Sequence, residues 1–463
     1  MVFSSVEFIF RFLPIFLISY FVTPKSYRNV TLLAGSLVFY ALGEPLYVLL
    51  MMFSIVINHI LALKIHEEQS QGGRGKKFLV AAVCYDFLVL FIFKYLNFAT
   101  SIINGIAGTD IGEVDLTLPL GISFYTFQVV SYVADVYMGR YYPDRNIISF
   151  ATYVSMFPQL IAGPIVNYSE VAESLRYRKT RFPEVEWGVT LFIVGFSYKV
   201  LLANKIASLW NEVQTVGVYG IDTFTAWLGS WGFSMQIYFD FFGYSLMAIG
   251  LGRIMGFKIP SNFYNPYTVK SATTFWRRWH ITLGRWFKEY VYIPLGGNRC
   301  SKFRNLFNLF VVWFLTGLWH GANWNFIIWG LFYFVILMLE KNFYLDKIEN
   351  SKYIGHIYML FLIPISWTIF NITDLGDLIL YLKRMFFIPL EGTVDTSGVF
   401  FRLFGRYWWM LLICGVCATK YPIKIIKAAR NTMTVKLILL ALFWLSVYQL
   451  LMGANNPFLY FRF

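Results

Sequence analysis

The chain alternates long apolar runs with short polar loops. Apolar runs occupy residues 8–22, 30–41, 46–63, 78–95, 187–202, 224–251, 353–370, 408–417 and 435–452. About 20 residues cross a bilayer as a helix, and several of these runs extend at their flanks to that length. The pattern predicts an all-α polytopic membrane protein. Two stretches break the simple picture. Residues 306–339 are too long for one straight span and hold WHGANW near the middle, so either the helix breaks at Gly321 or two short helices meet there. Residues 150–166 lie between two basic loops and are expected to be re-entrant, lining a cavity as irregular membrane segments must.

Composition sharpens this reading. Of 463 residues, 58% are hydrophobic, 20% aromatic and only 14% charged, which excludes an ordinary soluble domain. The formal charge of +14 sits mainly in short loops, so it marks orientation toward membrane lipid rather than a nucleic-acid surface. Lys25 and Arg28 in one loop, and Lys64, Arg74, Lys76 and Lys77 in another, mark cytoplasmic loops. The loop between them and the next basic segment carries Asp110, Glu113 and Asp115, as an outside loop should. The N-terminus is then outside. Arg11 interrupts the first run and no small-residue cleavage site follows, so that run is expected to be retained. No soluble catalytic domain is apparent, and the whole of 1–463 reads as a single membrane domain.

Several motifs fail on inspection. Cys414 and Cys417 form a CxxC inside an apolar run with no βαβ context, where packing is the better reading. His66-Glu67 is followed by Ser70 rather than a second histidine, so it is no zinc-protease motif, and no metal site is expected. Gly252 and Gly256 read as a small-xxx-small helix-packing face. There is no GxSxG elbow and no DxD pair.

Polar residues inside the apolar runs are the informative ones. His59, His66 and His356 fall near segment ends or in a loop, where interfacial or solvated roles are usual. In FWRRWHITLGRWFKEYVYIPLGGNR, residues 275–299, a turn of about 100° per residue groups Trp276, Trp279, Leu283, Trp286, Phe287 and Tyr290 on one side. Arg277, Arg278, Arg285 and Lys288 fall on the other, and His280 lies on the apolar face. Such a helix lies in the membrane interface with its basic face toward headgroups, and the same face could hold the phosphates of a coenzyme A donor. For His280 a satisfied buried imidazole and an active-site role both remain open. His320 sits at the break in 306–339, where an ionisable group is costly unless it faces partners or water. A neutral imidazole there can take a proton from a hydroxyl and return it to a leaving group, oriented by Asn323 or an indole N–H; a histidine bonded to a backbone carbonyl freed by the break is the alternative. Gln128, Asp135, Gln159, Gln236 and Asp240 could each be an interhelical hydrogen bond, and together they describe a polar channel.

PLGISFYTFQ, FPQLIAGPI, MQIYFDFFGYSLMAIGL, the 275–299 segment, TGLWHGANWNFIIWG and the terminal PFLYFRF resemble the membrane-bound O-acyltransferase (MBOAT) family, with matches in order over a core of about 119–330. The branch they look like is the bacterial one of alginate O-acetylation and teichoic-acid D-alanylation, nearest the alginate O-acetyltransferase membrane subunit. YVYIPLGGNR looks like the alginate group, whereas Leu246 stands where that group commonly has an acidic residue. The resemblance implies a ring of about 10–12 transmembrane helices, with re-entrant and interfacial helices, around a central tunnel in a bacterial cytoplasmic membrane. It also implies that His320 matches the family's invariant histidine and His280 its more branch-specific one.

The expected activity is therefore O-acyl transfer: an acyl group, expected to be acetyl from acetyl-CoA, passes from the cytoplasmic side to a hydroxyl of an extracytoplasmic polysaccharide. No permanently bound cofactor is expected, and acetyl-CoA enters as a substrate. His320 would act as base or acyl carrier, with His280, Asn323 and the interior polar residues supporting it and Arg277, Arg278, Arg285 and Lys288 holding the donor. The resemblance further implies a secreted or membrane-anchored hydrolase-like partner that completes transfer. D-alanyl transfer from a carrier protein to teichoic acid is the alternative within the family; a polysaccharide or lipid exporter and a structural scaffold of a secretion complex are the alternatives outside it.

Overall fold

A computed structural model describes residues 3–160, 163–392, 398–453 and 458–459. Ile161 and Ala162 of FPQLIAGPI, and most of the terminal PFLYFRF, lie outside the described residues. The described elements are all helical. Among the described residues seven helices are long and apolar enough to cross a membrane: Tyr47–Ser70, Lys76–Ala107, Phe182–Val216, Trp324–Asn350, Ile354–Asn371, Val399–Cys417 and Met433–Met452. The first apolar run forms the shorter helix Phe8–Val22. The outward faces of Val399–Cys417 and Met433–Met452 carry Trp409, Leu412, Ile413, Leu437 and Leu440, all exposed, as lipid-facing helices require.

The chain divides into two compact units, Met1–Phe192 with Tyr244–Pro260, and Ile193–Gly243 with Ser261–Phe463. In the first unit Ile122–Tyr137 is buried along nearly its whole length, its polar residues Gln128 and Asp135 included. It packs on Tyr47–Ser70 and Lys76–Leu90. Residues 150–166 do not form one span. Their described part holds two short helices, Ile147–Ser155 and Phe157–Leu160, broken at Met156, and an irregular stretch at 163–166. His59 is buried against Phe150 rather than solvated, which corrects the interfacial reading.

The apolar run 224–251 becomes one helix of 33 residues, Thr223–Met255. Its glycines do not pack as the small-xxx-small reading expected. Gly256 has φ +90° and closes the helix, with Phe257 N–H donating to Gly252 O at 2.8 Å, so it is a left-handed cap. Close backbone approach occurs elsewhere. In the first unit a Cβ on Gly250 would lie 2.5 Å from Gly188 O; in the second, a Cβ on Gly243 would lie 2.6 Å from Gly195 O. Both partners lie on Phe182–Ser197, so one helix is held against Thr223–Met255 at two points.

In the second unit, of the two alternatives for 306–339, two helices meet. Lys302–His320 ends at Gly321, whose backbone is extended, and Trp324–Leu339 returns alongside it. Side chains cannot fit at the crossing: a Cβ on Gly317 would lie 2.4 Å from Phe326 O, and one on Gly330 would lie 2.4 Å from Trp313 O. Gly330→Ala should force the two helices apart and cost about 1–3 kcal/mol, the usual range for overpacking a close contact. A lower melting temperature of the detergent-solubilised protein checks this, with Gly415→Ala, which meets open space, as the neutral control.

Candidate functional site

The site in the second unit is built on two carboxylates, one buried and one half-buried. Glu340 is fully buried and follows Trp324–Leu339, at the first residue of a π-helical turn, Glu340–Tyr344. Its Oε1 accepts from Ala272 N–H at 2.6 Å, and its Oε2 accepts from Thr273 N–H at 2.8 Å and the Thr273 hydroxyl at 2.6 Å. Glu349 accepts from the hydroxyls of Ser271 and Thr274, the latter at 2.6 Å. The short helix Ala272–Trp276 thus starts on negative charge at its N-terminus, where free N–H groups favour it.

The single helix expected through 275–290 is interrupted. Ala272–Trp276 and Ile281–Phe287 are separated at His280, which takes φ 45° and ψ 51°, a left-handed conformation rare for a side chain of this size. The apolar period is that of a helix, but hydrogen bonds from a distant segment win over it. Ile281 N–H donates to Asn262 O at 3.0 Å and Tyr264 N–H to Arg278 O at 2.9 Å, fastening the turn to residues 262–264. Trp279 packs between Tyr267, Phe275 and Trp367. His280 is nevertheless buried, as its place on the apolar face implied. Its ring meets Phe241 edge-on, with centroids 4.8 Å apart, and its Nδ1 lies 3.2 Å from Asn262 Oδ1.

His280 lines a cavity of about 510 Å³ together with Trp276, Arg277, Arg285, Lys288 and Thr316. Three of the four basic residues expected at a donor site therefore share one cavity with the histidine. Arg278 lies instead over the Tyr264 ring.

His320 is the last residue of its helix and is buried. Three aromatic rings enclose it, with centroids at 5.1 Å for Trp319, 5.0 Å for Trp329 and 5.2 Å for Phe370. Trp319 also lies 6.0 Å from His280, so one indole touches both histidines. Asn323 is half-buried at the N-cap of Trp324–Leu339 and makes no capping bond through its side chain. The buried asparagine of this motif is Asn325, whose Nδ2 donates to Phe370 O at 2.7 Å and Ile369 O at 3.3 Å, fixing the ring that closes over His320. Sequence reasoning passed over it, although an asparagine just past the break and flanked by the aromatic residues Trp324 and Phe326 was the available signal.

The other expected channel residues separate. Gln128, Asp135 and Gln159 belong to the first unit, Gln236 and Asp240 to the second. Asp135 pairs with Arg140 at 3.2 Å, Gln159 donates to Tyr153 O, and fully buried Gln128 has neither amide atom hydrogen-bonded within the described residues. Gln236 is half-buried. Asp240 forms a buried ion pair with Lys199, and also accepts from Leu459 N–H at 2.8 Å. Phe458 in turn packs on Phe241, the ring that meets His280.

A multi-pass helical membrane protein with two buried histidines around one indole, one of them on a basic cavity, is the class these features define. The sequence model of MBOAT, the membrane-bound O-acyltransferase family, matches residues 144–345. The chain is 35% identical to the probable alginate O-acetylase AlgI of Azotobacter vinelandii over the whole of both chains. It is 33% identical to the peptidoglycan O-acetyltransferase of Helicobacter pylori, over 85% of this chain and 80% of that one. It is 31% identical to the teichoic acid D-alanyltransferase of Bacillus subtilis, over 50% and 61% respectively. The chain belongs to the membrane-bound O-acyltransferase family, and is a membrane O-acyltransferase.

Two predictions test the construction. Glu340→Ala leaves two backbone N–H groups and a hydroxyl without their acceptor, at a cost of roughly 1–3 kcal/mol for each buried group left unpaired; thermal unfolding should show a clear loss of stability, smaller in Glu340→Gln. Burial lowers the His280 imidazole from 6.5 to about 3. The unfolded chain then binds a proton below pH 6.5 that the folded chain refuses, so this residue's contribution to stability falls as pH drops from about 6.5 toward 3. His280→Gln should therefore lose less melting temperature than the wild type between pH 7 and pH 5.

Proposed function

We propose that this O-acyltransferase takes an acetyl group from acetyl-CoA on the cytoplasmic side and delivers it toward a hydroxyl of an extracytoplasmic polysaccharide. The observation that carries this reading is the basic cavity that ends on a buried histidine. Arg277, Arg285 and Lys288 supply the charge that coenzyme A phosphates need, and Trp276 and His280 line the same cavity. The names of two relatives, an alginate O-acetylase and a peptidoglycan O-acetyltransferase, support a glycan hydroxyl as acceptor. The loop charges support a cytoplasmic-membrane protein with its N-terminus outside.

In the proposed reaction a hydroxyl oxygen of the partner attacks the thioester carbonyl, the C–S bond breaks, and the acetyl ester so formed is what the partner passes to the polysaccharide hydroxyl. His320 takes the hydroxyl proton and returns it to the departing thiolate. Its aromatic surround keeps water from competing with the alcohol. Asn325 holds Phe370 in place over it, and Asn323 stands at the adjoining helix start. Acetyl-CoA is a substrate in this scheme, and a secreted or membrane-anchored hydrolase-like partner completes transfer to the polymer.

Purified protein in detergent should release free coenzyme A from acetyl-CoA, faster when polysaccharide and partner are added, and His320→Ala should lose at least about 100-fold of that rate, as removal of a general base does. Retained turnover in His320→Ala would remove His320 from the chemistry. Turnover seen only with a carrier-protein D-alanyl thioester would replace the acetyl-CoA donor, and none with either donor would count against an enzyme.

A further inference from the structure

Asn262 is fully buried, and three polar atoms converge on its side-chain oxygen. Thr282 N–H reaches Oδ1 at 3.2 Å, the Thr282 hydroxyl at 2.9 Å, and His280 Nδ1 at 3.2 Å. The backbone N–H can only donate, so the atom facing it must be the oxygen, not the amide nitrogen. An oxygen in that place cannot donate to His280. The imidazole must therefore carry its proton on Nδ1, which leaves Nε2 with a lone pair. His280 Nε2 is buried and has no hydrogen-bond partner among the described residues, and His280 is one of the residues that line the basic cavity.

We infer that Asn262 is a positioning residue that locks His280 as the Nδ1–H tautomer, so that Nε2 serves the acyl-donor cavity as a hydrogen-bond acceptor. This rests on the reading of the cavity as the donor site. The left-handed backbone at His280 belongs to the same device: Asn262 holds the turn from both ends, its carbonyl accepting from Ile281 N–H while its side chain holds His280 and Thr282. The group that Nε2 accepts from is a donor on the thioester substrate, an amide N–H of the pantetheine arm or the thiol released at the end of transfer.

The test uses the full chain labelled with 15N-histidine in detergent or nanodiscs, with His280→Gln to assign the signal. The expected spectrum shows His280 with a protonated Nδ1 and an unprotonated Nε2. Asn262→Leu should abolish that preference and lower turnover on the order of 10–100-fold, as loss of a hydrogen bond that orients a functional histidine does. Asn262→Asp, which keeps the acceptor, should restore the tautomer. A wild-type spectrum with the proton on Nε2 overturns the inference whatever the variants do, and so does an unchanged tautomer in a folded Asn262→Leu protein. A locked tautomer combined with full coenzyme A release by His280→Gln would uphold the role of Asn262 and overturn the reading of the cavity as the donor site.

Discussion

The contact of two glycine backbones, Gly317 with Phe326 and Gly330 with Trp313, sets the geometry on which the site depends. It brings Lys302–His320 and Trp324–Leu339 closer than any side chain would allow, which turns a 34-residue apolar run into a hairpin with two functional ends. At its closed end the chain reverses over Gly321, leaving His320 as the last helical residue among three aromatic rings. At its open end stands Glu340, gripping the start of Ala272–Trp276 and so the segment that leads to His280. One packing contact thereby fixes the surroundings of both histidines.

A second constraint follows from the solvent. Within an apolar surround a polar group must find its partner inside the protein, since an unpaired one loses its hydration without compensation. The second unit answers with buried groups that each make several bonds: Glu340 accepts three, Asn262 accepts three, and Asp240 holds both Lys199 and the backbone of Leu459. Lys199 and Glu340 both sit in π-helical turns, Tyr198–Ala203 and Glu340–Tyr344. An extra residue per turn re-aims a side chain that regular spacing would point elsewhere, which is why such turns gather where function needs a polar group inside a span.

Much of this was legible in the chain. The apolar runs gave the spanning helices, the glycine in the middle of 306–339 gave the reversal, and an isolated histidine at that reversal gave His320. The apolar face gave the burial of His280. What periodicity could not supply was anything resting on distant partners. Glu340 lies 68 residues from Ala272, and Asn262 lies 18 from His280, so a window of one or two turns sees a helix where long-range bonds impose a left-handed turn. The same blindness applied to the interior polar residues. Gln128, Asp135, Gln159, Gln236 and Asp240 all read alike as polar groups in apolar runs, yet Asp135 bonds within its own helix end while Asp240 reaches the C-terminal segment. Lys199 was invisible as an ion-pair partner because it looks like any other basic residue at a span's edge.

The two histidines also differ in what their surroundings permit. On the proposed reading, the residue that takes the hydroxyl proton must carry a positive charge for part of the cycle. His280 faces a cavity already lined by Arg277, Arg285 and Lys288, with only Glu289 as a counter-charge among its lining residues. A further positive charge there would add repulsion to the cost of burial, so its neutral lone pair is worth more than its basicity. The rings of Trp319, Trp329 and Phe370 stand around His320, and aromatic rings tolerate an imidazolium that a row of cations opposes. On the proposed reading the proton is therefore assigned to His320, and the acceptor that orients the donor to His280. Trp319, lying against both, keeps the two tasks adjacent without letting the charges meet.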